Sequence, residues 1–257
     1  MSTLQLRGPE QLVVRQHRLI LWIGGALALA GTILVPGAWW FTSATADAFT
    51  GTGCSVQHTV VGCGIDVRHL LSVELYYSRL FDYAGLVMTA LPALIGLFVA
   101  GPLIGRELED GTYRLSWSQS VSPARWLAAK LAVPVAFTTA GVTVLSAVYA
   151  WGRSRTYDTH YPVQSSERLV YGAMGPVPVG YTLLCLALGA LIALLVRRAL
   201  PSMALTVAAY IVLLPVGEAV RPRGRFWPLQ LVETGILLAL AAGAVALAFR
   251  LLRRHHA

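Results

Sequence analysis

From Leu169 to Val196 the chain runs for 28 residues without a charged side chain. Few environments accept such a run. A helix of about 20 apolar residues satisfies its own backbone and crosses the ~30 Å hydrocarbon layer of a bilayer, where an irregular chain would leave polar groups unpaired. Gly172, Gly175-Pro176 and Pro178 interrupt the first part of the run, so it reads as an irregular lead-in followed by a span at about 179–196. Five further apolar runs flank it. With 56% hydrophobic and only 12% charged residues and a mean hydropathy of +0.64, the 257-residue chain suits a multi-span membrane protein and leaves no room for a sizeable soluble domain. In a soluble protein the net charge of +8 would suggest a nucleic-acid partner. Here the basic residues lie in short connections between apolar runs, where they act as topology signals, and no nucleic-acid partner is expected.

In chain order the spans fall at about 19–41, 83–105, 131–151, 179–196, 200–216 and 231–249. Arg7, Arg15 and Arg18 precede the first and favour a cytoplasmic N-terminus, while Trp39 and Trp40 mark its outer end. Ala44-Thr45-Ala46 has the small-x-small form of a cleavage site, but the apolar run before it is too long for a signal peptide and reads as an anchor. Pro92 and Pro102 each remove a backbone donor from the second span, which suits a bent helix. In the third span Thr138, Thr139, Thr143 and Ser146 offer small polar packing or hydrogen-bonding groups. Arg197-Arg198 forms a short basic turn, making spans four and five an antiparallel hairpin. Alternation then places 12 Lys and Arg residues inside and 8 outside, a modest bias of the right sign for both termini in the cytoplasm.

The polar stretch Gly101–Lys130 between spans two and three is the place to meet a soluble partner. Gly111 suits a helix end because it accepts positive φ, and Thr112 after it is a capping residue for a new short helix. Ser122-Pro123 repeats a start signal. On a helix over Thr112–Gln119, Tyr113 and Trp117 share one face and Arg114 and Ser118 another. The succession Arg106-Glu107-Leu108-Glu109, Gly111-Thr112, Trp117, Ser122, Arg125-Trp126 and Lys130-Leu131 resembles the first cytoplasmic loop of ABC-2 type transporter permeases, the membrane subunits of ATP-driven exporters.

That resemblance implies an all-α membrane protein of six transmembrane helices, a single permease domain with a cytoplasmic coupling helix between spans two and three. The coupling loop is 106–126. It implies ATPase-coupling residues Glu107, Glu109, Gly111, Thr112, Tyr113, Arg114, Trp117 and Arg125, with Tyr113 and Trp117 as anchors and Glu107, Glu109, Arg114 and Arg125 as charged contacts to the ATPase or the lipid surface. Its implied partners are an ABC ATP-binding subunit, a second permease copy or paralogue, and membrane lipids. ATP and Mg belong to the ATPase, with no cofactor in this chain, and the implied location is a bacterial plasma membrane.

On the opposite side, residues 43–77 read as an extracytoplasmic loop. Cys54 and Cys63 flank a Val/Gly/Thr-rich bend and suit either a disulfide or two free thiols. With His58 and His69 they form a C-x3-H-x4-C-x5-H order too irregular to define a metal site. Arg221, Arg223 and Arg225 form the main departure from the positive-inside pattern and are candidates, with Glu233, for contact with substrate or lipid headgroups. Within the last span a carboxylate needs protein, water or a cation, and Arg225 or another arginine is the expected partner of Glu233.

An enzyme fits less well. The sequence contains neither G-x-x-x-x-G-K-[ST] nor H-E-x-x-H, and its histidines fall in loops or tails, so no catalytic residue is assigned and ATP hydrolysis is expected in a separate subunit. A non-transporting membrane scaffold would share the hydropathy, and even the ATPase contact.

Overall fold

The computed structural model describes residues 18–57, 62–112, 122–156, 159–163, 168–220 and 226–254. The described elements are helical: α1 (Arg18–Thr50), α2 (Gly64–Ile95), a π-helical turn (Gly96–Ala100), α3 (Gly101–Glu109), α4 (Pro123–Ser154), α5 (Arg168–Ala173), α6 (Val177–Val196), α7 (Ala199–Val220) and α8 (Phe226–Arg254). Six helical stretches are long and apolar enough to cross a membrane: Trp22–Thr50, Gly64–Glu109, Pro123–Ser154, Val177–Val196, Ala199–Gly217 and Phe226–Arg254. The all-helical, six-span class expected from hydropathy is therefore present.

Several helices outrun their apolar segments. Residues 43–50 and 64–77, expected as loop, continue α1 and α2, leaving a connection of 51–63. Hydropathy marks where a helix leaves hydrocarbon. The helix itself stops only where the backbone is broken, here at a turn that includes Gly53 with φ +68°. The interruption in span two has a specific form. Pro102 has no N–H to donate, and in an α-helix its ring would press on the Phe98 carbonyl. Over Gly96–Ala100 the helix widens to a π turn, in which the Gly101 N–H reaches back to the Gly96 carbonyl.

The chain forms two compact units. One draws on Met1–Ala26, Ala90–Thr143 and Pro176–Ala257, the other on Leu27–Thr89 and Val144–Gly175. Three helices, α1, α2 and α4, supply residues to both.

In the first unit a core cluster that includes Leu103, Ile104, Leu127, Ala190, Ala193 and Ala248 joins α3, α4, α6 and α8. Small side chains let these helices approach closely, as membrane packing favours where no hydrophobic force separates helix from lipid.

The second unit is knit by aromatic and polar contacts. Tyr77, Phe81 and Tyr149 stack edge to face at 5.2 Å steps. Tyr77 donates to the Gly152 carbonyl at 3.0 Å and Tyr149 to that of Phe81 at 3.2 Å. The buried Glu74 accepts from the His160 backbone N–H at 2.9 Å, and its Oε2 lies 2.8 Å from His160 Nδ1. Ser146 donates to the Gly175 carbonyl at 2.9 Å, whereas Thr138 and Thr143, on the part of α4 that belongs to the first unit, bond back into their own helix. The Arg155 guanidinium lies over both Trp39 and Trp151, and Arg153 is buried and reaches the Val163 carbonyl at 3.4 Å. Arg153 and Arg155, which alternation put outside, therefore pack against other helices and loops of this unit.

Cys54 and Cys63 are bonded to each other. The bond closes the 51–63 connection and leaves neither sulfur as a thiolate ligand for a metal. His58 lies outside the described residues.

Candidate functional site

The sequence around Gly101–Lys130 dictates its own boundaries. α3 ends at Glu109, Asp110 donates its backbone N–H to the Arg106 carbonyl, and Gly111 takes φ +69°, the left-handed conformation that closes a helix. The chain re-enters helix at Pro123. There Ser122 Oγ accepts from the Arg125 N–H at 3.3 Å and the Ser122 carbonyl from the Trp126 N–H at 2.9 Å, the capping geometry that its Ser-Pro sequence predicts. Residues 113–121 between them lie outside the described residues, so the expected short helix over Thr112–Gln119, with Tyr113, Arg114 and Trp117, does too. Thr112 itself is exposed, its hydroxyl 3.5 Å from the Glu107 carbonyl.

The two glutamates of Arg106-Glu107-Leu108-Glu109 are both engaged within the protein. Trp126 and Lys130 lie four residues apart on α4 and therefore share a face. Both point at Glu107: Trp126 Nε1 donates to Oε2 at 3.2 Å, and Lys130 Nζ donates to Oε1. The Lys130 side chain is only 6% exposed and that of Glu107 16%, so this is a largely dry ion pair with an indole donor on its second oxygen. Such a pair is sustained when partners fill the remaining hydrogen-bonding sites; removal of one member leaves a buried charge unmatched. Glu109 does something different. Its Oε2 accepts the Ala199 backbone N–H at 3.0 Å, so α3 caps the first turn of α7 with a carboxylate where the helix dipole favours negative charge. The approach is close: a Cβ on Gly105 would lie 2.9 Å from the Ala199 Cα. Ahead of that turn Arg197 closes α6 in the left-handed conformation with φ +57°.

These contacts join α3 to α4 and α7 at one end of the unit. Arg106, Arg125, Arg197 and Arg198 are all exposed there, while Lys130, which alternation treats as one more topology signal, is buried. Among the described residues this arrangement offers no nucleophile paired with a base. Among the described residues no three His, Cys, Asp or Glu side chains gather as metal ligands.

A second polar feature lies between α6, α7 and α8. Tyr181 donates to Glu233 Oε1 at 3.0 Å, beside a cavity of about 260 Å³ whose other walls are Leu, Val, Ile and Gly. Gln230, fully buried one turn before, accepts from the Val177 N–H at 3.3 Å and fastens the start of α6 to α8. Arg221, Arg223 and Arg225, the expected cationic neighbours of Glu233, lie outside the described residues. Tyr181 itself had no sequence signal, since it sits in a continuous apolar run.

Six helices long and apolar enough to cross a membrane define a multi-pass membrane protein. The sequence matches the family described as ABC-2 membrane transporter related over residues 24–221, and the chain belongs to that family. It is a permease-type membrane subunit of an ABC transporter, a transport component that is not itself catalytic. No curated protein and no solved structure matches it significantly.

Proposed function

We propose that this chain forms the substrate pathway of an ATP-driven exporter, as a dimer with itself or with a related permease, and that separate ATP-binding subunits dock on its 106–126 segment. The observation that carries the reading is the anchorage of that segment. Glu107 ties its first turn to Trp126 and Lys130, and Glu109 ties it to the N-terminus of α7. A push delivered through Tyr113, Arg114 and Trp117 enters a framework already fastened to α3, α4 and α7, and a stiff base of this kind transmits displacement as a unit. The exposed Arg106, Arg125, Arg197 and Arg198 suit an acidic partner surface or anionic headgroups on the cytoplasmic side. ATP and Mg²⁺ are held by the partner, since this chain has no phosphate loop. In this reading both termini are cytoplasmic in a bacterial plasma membrane, and the Cys54–Cys63 connection faces outward, where an oxidising compartment keeps the bond. Arg221, Arg223 and Arg225 are assigned in this reading to contact with substrate or lipid headgroups.

The test is purification of the tagged chain from its native membrane in mild detergent, followed by identification and stoichiometry of what accompanies it. Near one-to-one recovery of an ATP-binding subunit, lost when Thr112–Gln119 is scrambled, is the expected result. Trp117→Ala should leave insertion intact and reduce ATPase activity of the recovered complex. A folded chain that brings down no ATPase would replace the exporter reading with an autonomous membrane scaffold.

A further inference from the structure

Where α1 and α2 run on beyond their apolar segments, they line a pocket of about 290 Å³ within the second unit, and the Cys54–Cys63 bond ties the chain together just past it. The α1 side is mainly apolar, with Phe41, Ala48 and Phe49, while the α2 side carries Asp66 and His69. These two are three residues apart and share a helix face. The polar side chains that line the pocket all offer acceptors. Thr45 gives its hydroxyl proton to the Phe41 carbonyl at 2.9 Å and Thr52 gives its own to the Phe49 carbonyl at 2.7 Å, so what remains on each is an oxygen lone pair. An ionised Asp66 can only accept, and a neutral His69 ring keeps one bare nitrogen. Among the described residues, neither the Asp66 carboxylate nor the His69 ring takes part in a hydrogen bond or ion pair.

We infer that this pocket binds a small aryl-alkyl amine, one aromatic ring on a short ammonium arm, with the ammonium at Asp66 and His69 and the ring against Phe41 and Phe49. A lining of acceptors with one carboxylate selects a cation that brings its own N–H donors and disfavours an anion. The C-terminal end of α1 and the N-terminal end of α2 bound the pocket with opposite ends of their dipoles, so Asp66 sets the sign of the local charge. Arg68, next to it in sequence, is not among the lining residues and donates to the Gly64 carbonyl of its own helix at 3.0 Å. The two phenyl rings add edge or face contacts for an aromatic group and attraction for a cation. About 290 Å³ lies at the ~300 Å³ where pockets for drug-sized ligands begin, which suits one ring and a short arm. The inference goes beyond the exporter reading: binding needs neither nucleotide nor ATPase, so loss of one leaves the other standing.

The test uses the full chain in phosphatidylcholine nanodiscs with radiolabelled phenethylamine, measured against empty discs. Saturable binding is expected, weakened about tenfold in Asp66→Asn through loss of a charge-assisted hydrogen bond. Asp47→Asn removes an exposed carboxylate of α1 that does not line the pocket and should leave the affinity unchanged. Ala48→Trp, at a position already exposed, fills the pocket while keeping Asp66 and should abolish binding. Phenethyl alcohol, the neutral counterpart, should compete at least tenfold less well than unlabelled amine. The inference is overturned if the unmodified protein shows no saturable amine binding, if Asp66→Asn or Ala48→Trp binds as the unmodified protein does, if Asp47→Asn weakens binding as much as Asp66→Asn, or if the alcohol competes as well as the amine.

Discussion

Glu107 and Glu233 are both carboxylates on apolar helices of the same unit, yet they are housed in opposite ways. Glu107 is shut in, one oxygen on the ammonium of Lys130 and the other on the indole of Trp126, with its charge matched inside the protein. Glu233 meets a neutral hydroxyl, Tyr181, and borders an open apolar cavity. A carboxylate with a dry lysine partner acts as a fastening, because any displacement of one member exposes an unmatched charge. A carboxylate at the wall of an apolar groove, fixed by a hydroxyl from the neighbouring helix, sits where the packing is open on one side. The difference separates a dry, charge-matched fastening from a carboxylate at the rim of a cavity.

The largest expected effect breaks the closed member. Lys130→Met leaves Glu107 buried beside a thioether and should destabilise the protein by about 3–5 kcal/mol, read as a fall in the thermal unfolding midpoint of the detergent-solubilised chain. Glu107→Gln combined with Lys130→Met removes both charges and keeps an acceptor for Trp126, so most of that loss should return. A single variant as stable as the parent would show that the pair is not closed and would dissolve the contrast. The next effect falls on the open member. Gly217→Ala drives a methyl against Tyr181 Oη and should cost about 1–3 kcal/mol as overpacking, read as a smaller fall in the same unfolding midpoint. An unchanged midpoint in that variant would mean that Tyr181 yields to the methyl without cost and that its contact with Glu233 is not tightly fixed.

Much of the contrast was legible in the chain, but unevenly. The six helices follow from apolar run length, and the break at Gly111 and the restart at Ser122-Pro123 follow from glycine and capping chemistry, all of them local signals. The partner of Lys130 was not legible from its position. The positive-inside pattern counts it among the cytoplasmic-side charges and says nothing of its burial on Glu107; only its four-residue spacing from Trp126 hinted that both could meet one group. Glu109 capping a helix that begins 90 residues later has no sequence signature, because the contact depends on how α3 and α7 pack. Tyr181 was invisible for the same reason. The polar residues 43–50 and 64–77 read as loop because hydropathy reports the solvent of a helix and not its length.

Glu109 lies between the two extremes and gives the smallest and most discriminating prediction. It carries a charge, like Glu107, but its described partner is a backbone N–H, and its side chain stands at the exposed end of α3. Two contributions are therefore separable. Glu109→Gln keeps a carbonyl oxygen for the Ala199 N–H and loses only the interaction of charge with the helix dipole, about 0.3–1 kcal/mol. Glu109→Ala loses the cap as well, about 0.5–2 kcal/mol, and frees the first turn of α7. Hydrogen exchange at the Ala199 amide should accelerate in the alanine variant and stay close to the parent in the glutamine one. If Glu109 only stabilises α7, ATPase activity of the complex will be untouched by either change once the protein is folded. If it also carries motion from the 106–126 segment into α7, the alanine variant will lower ATPase activity in the recovered complex and the glutamine variant will retain most of it.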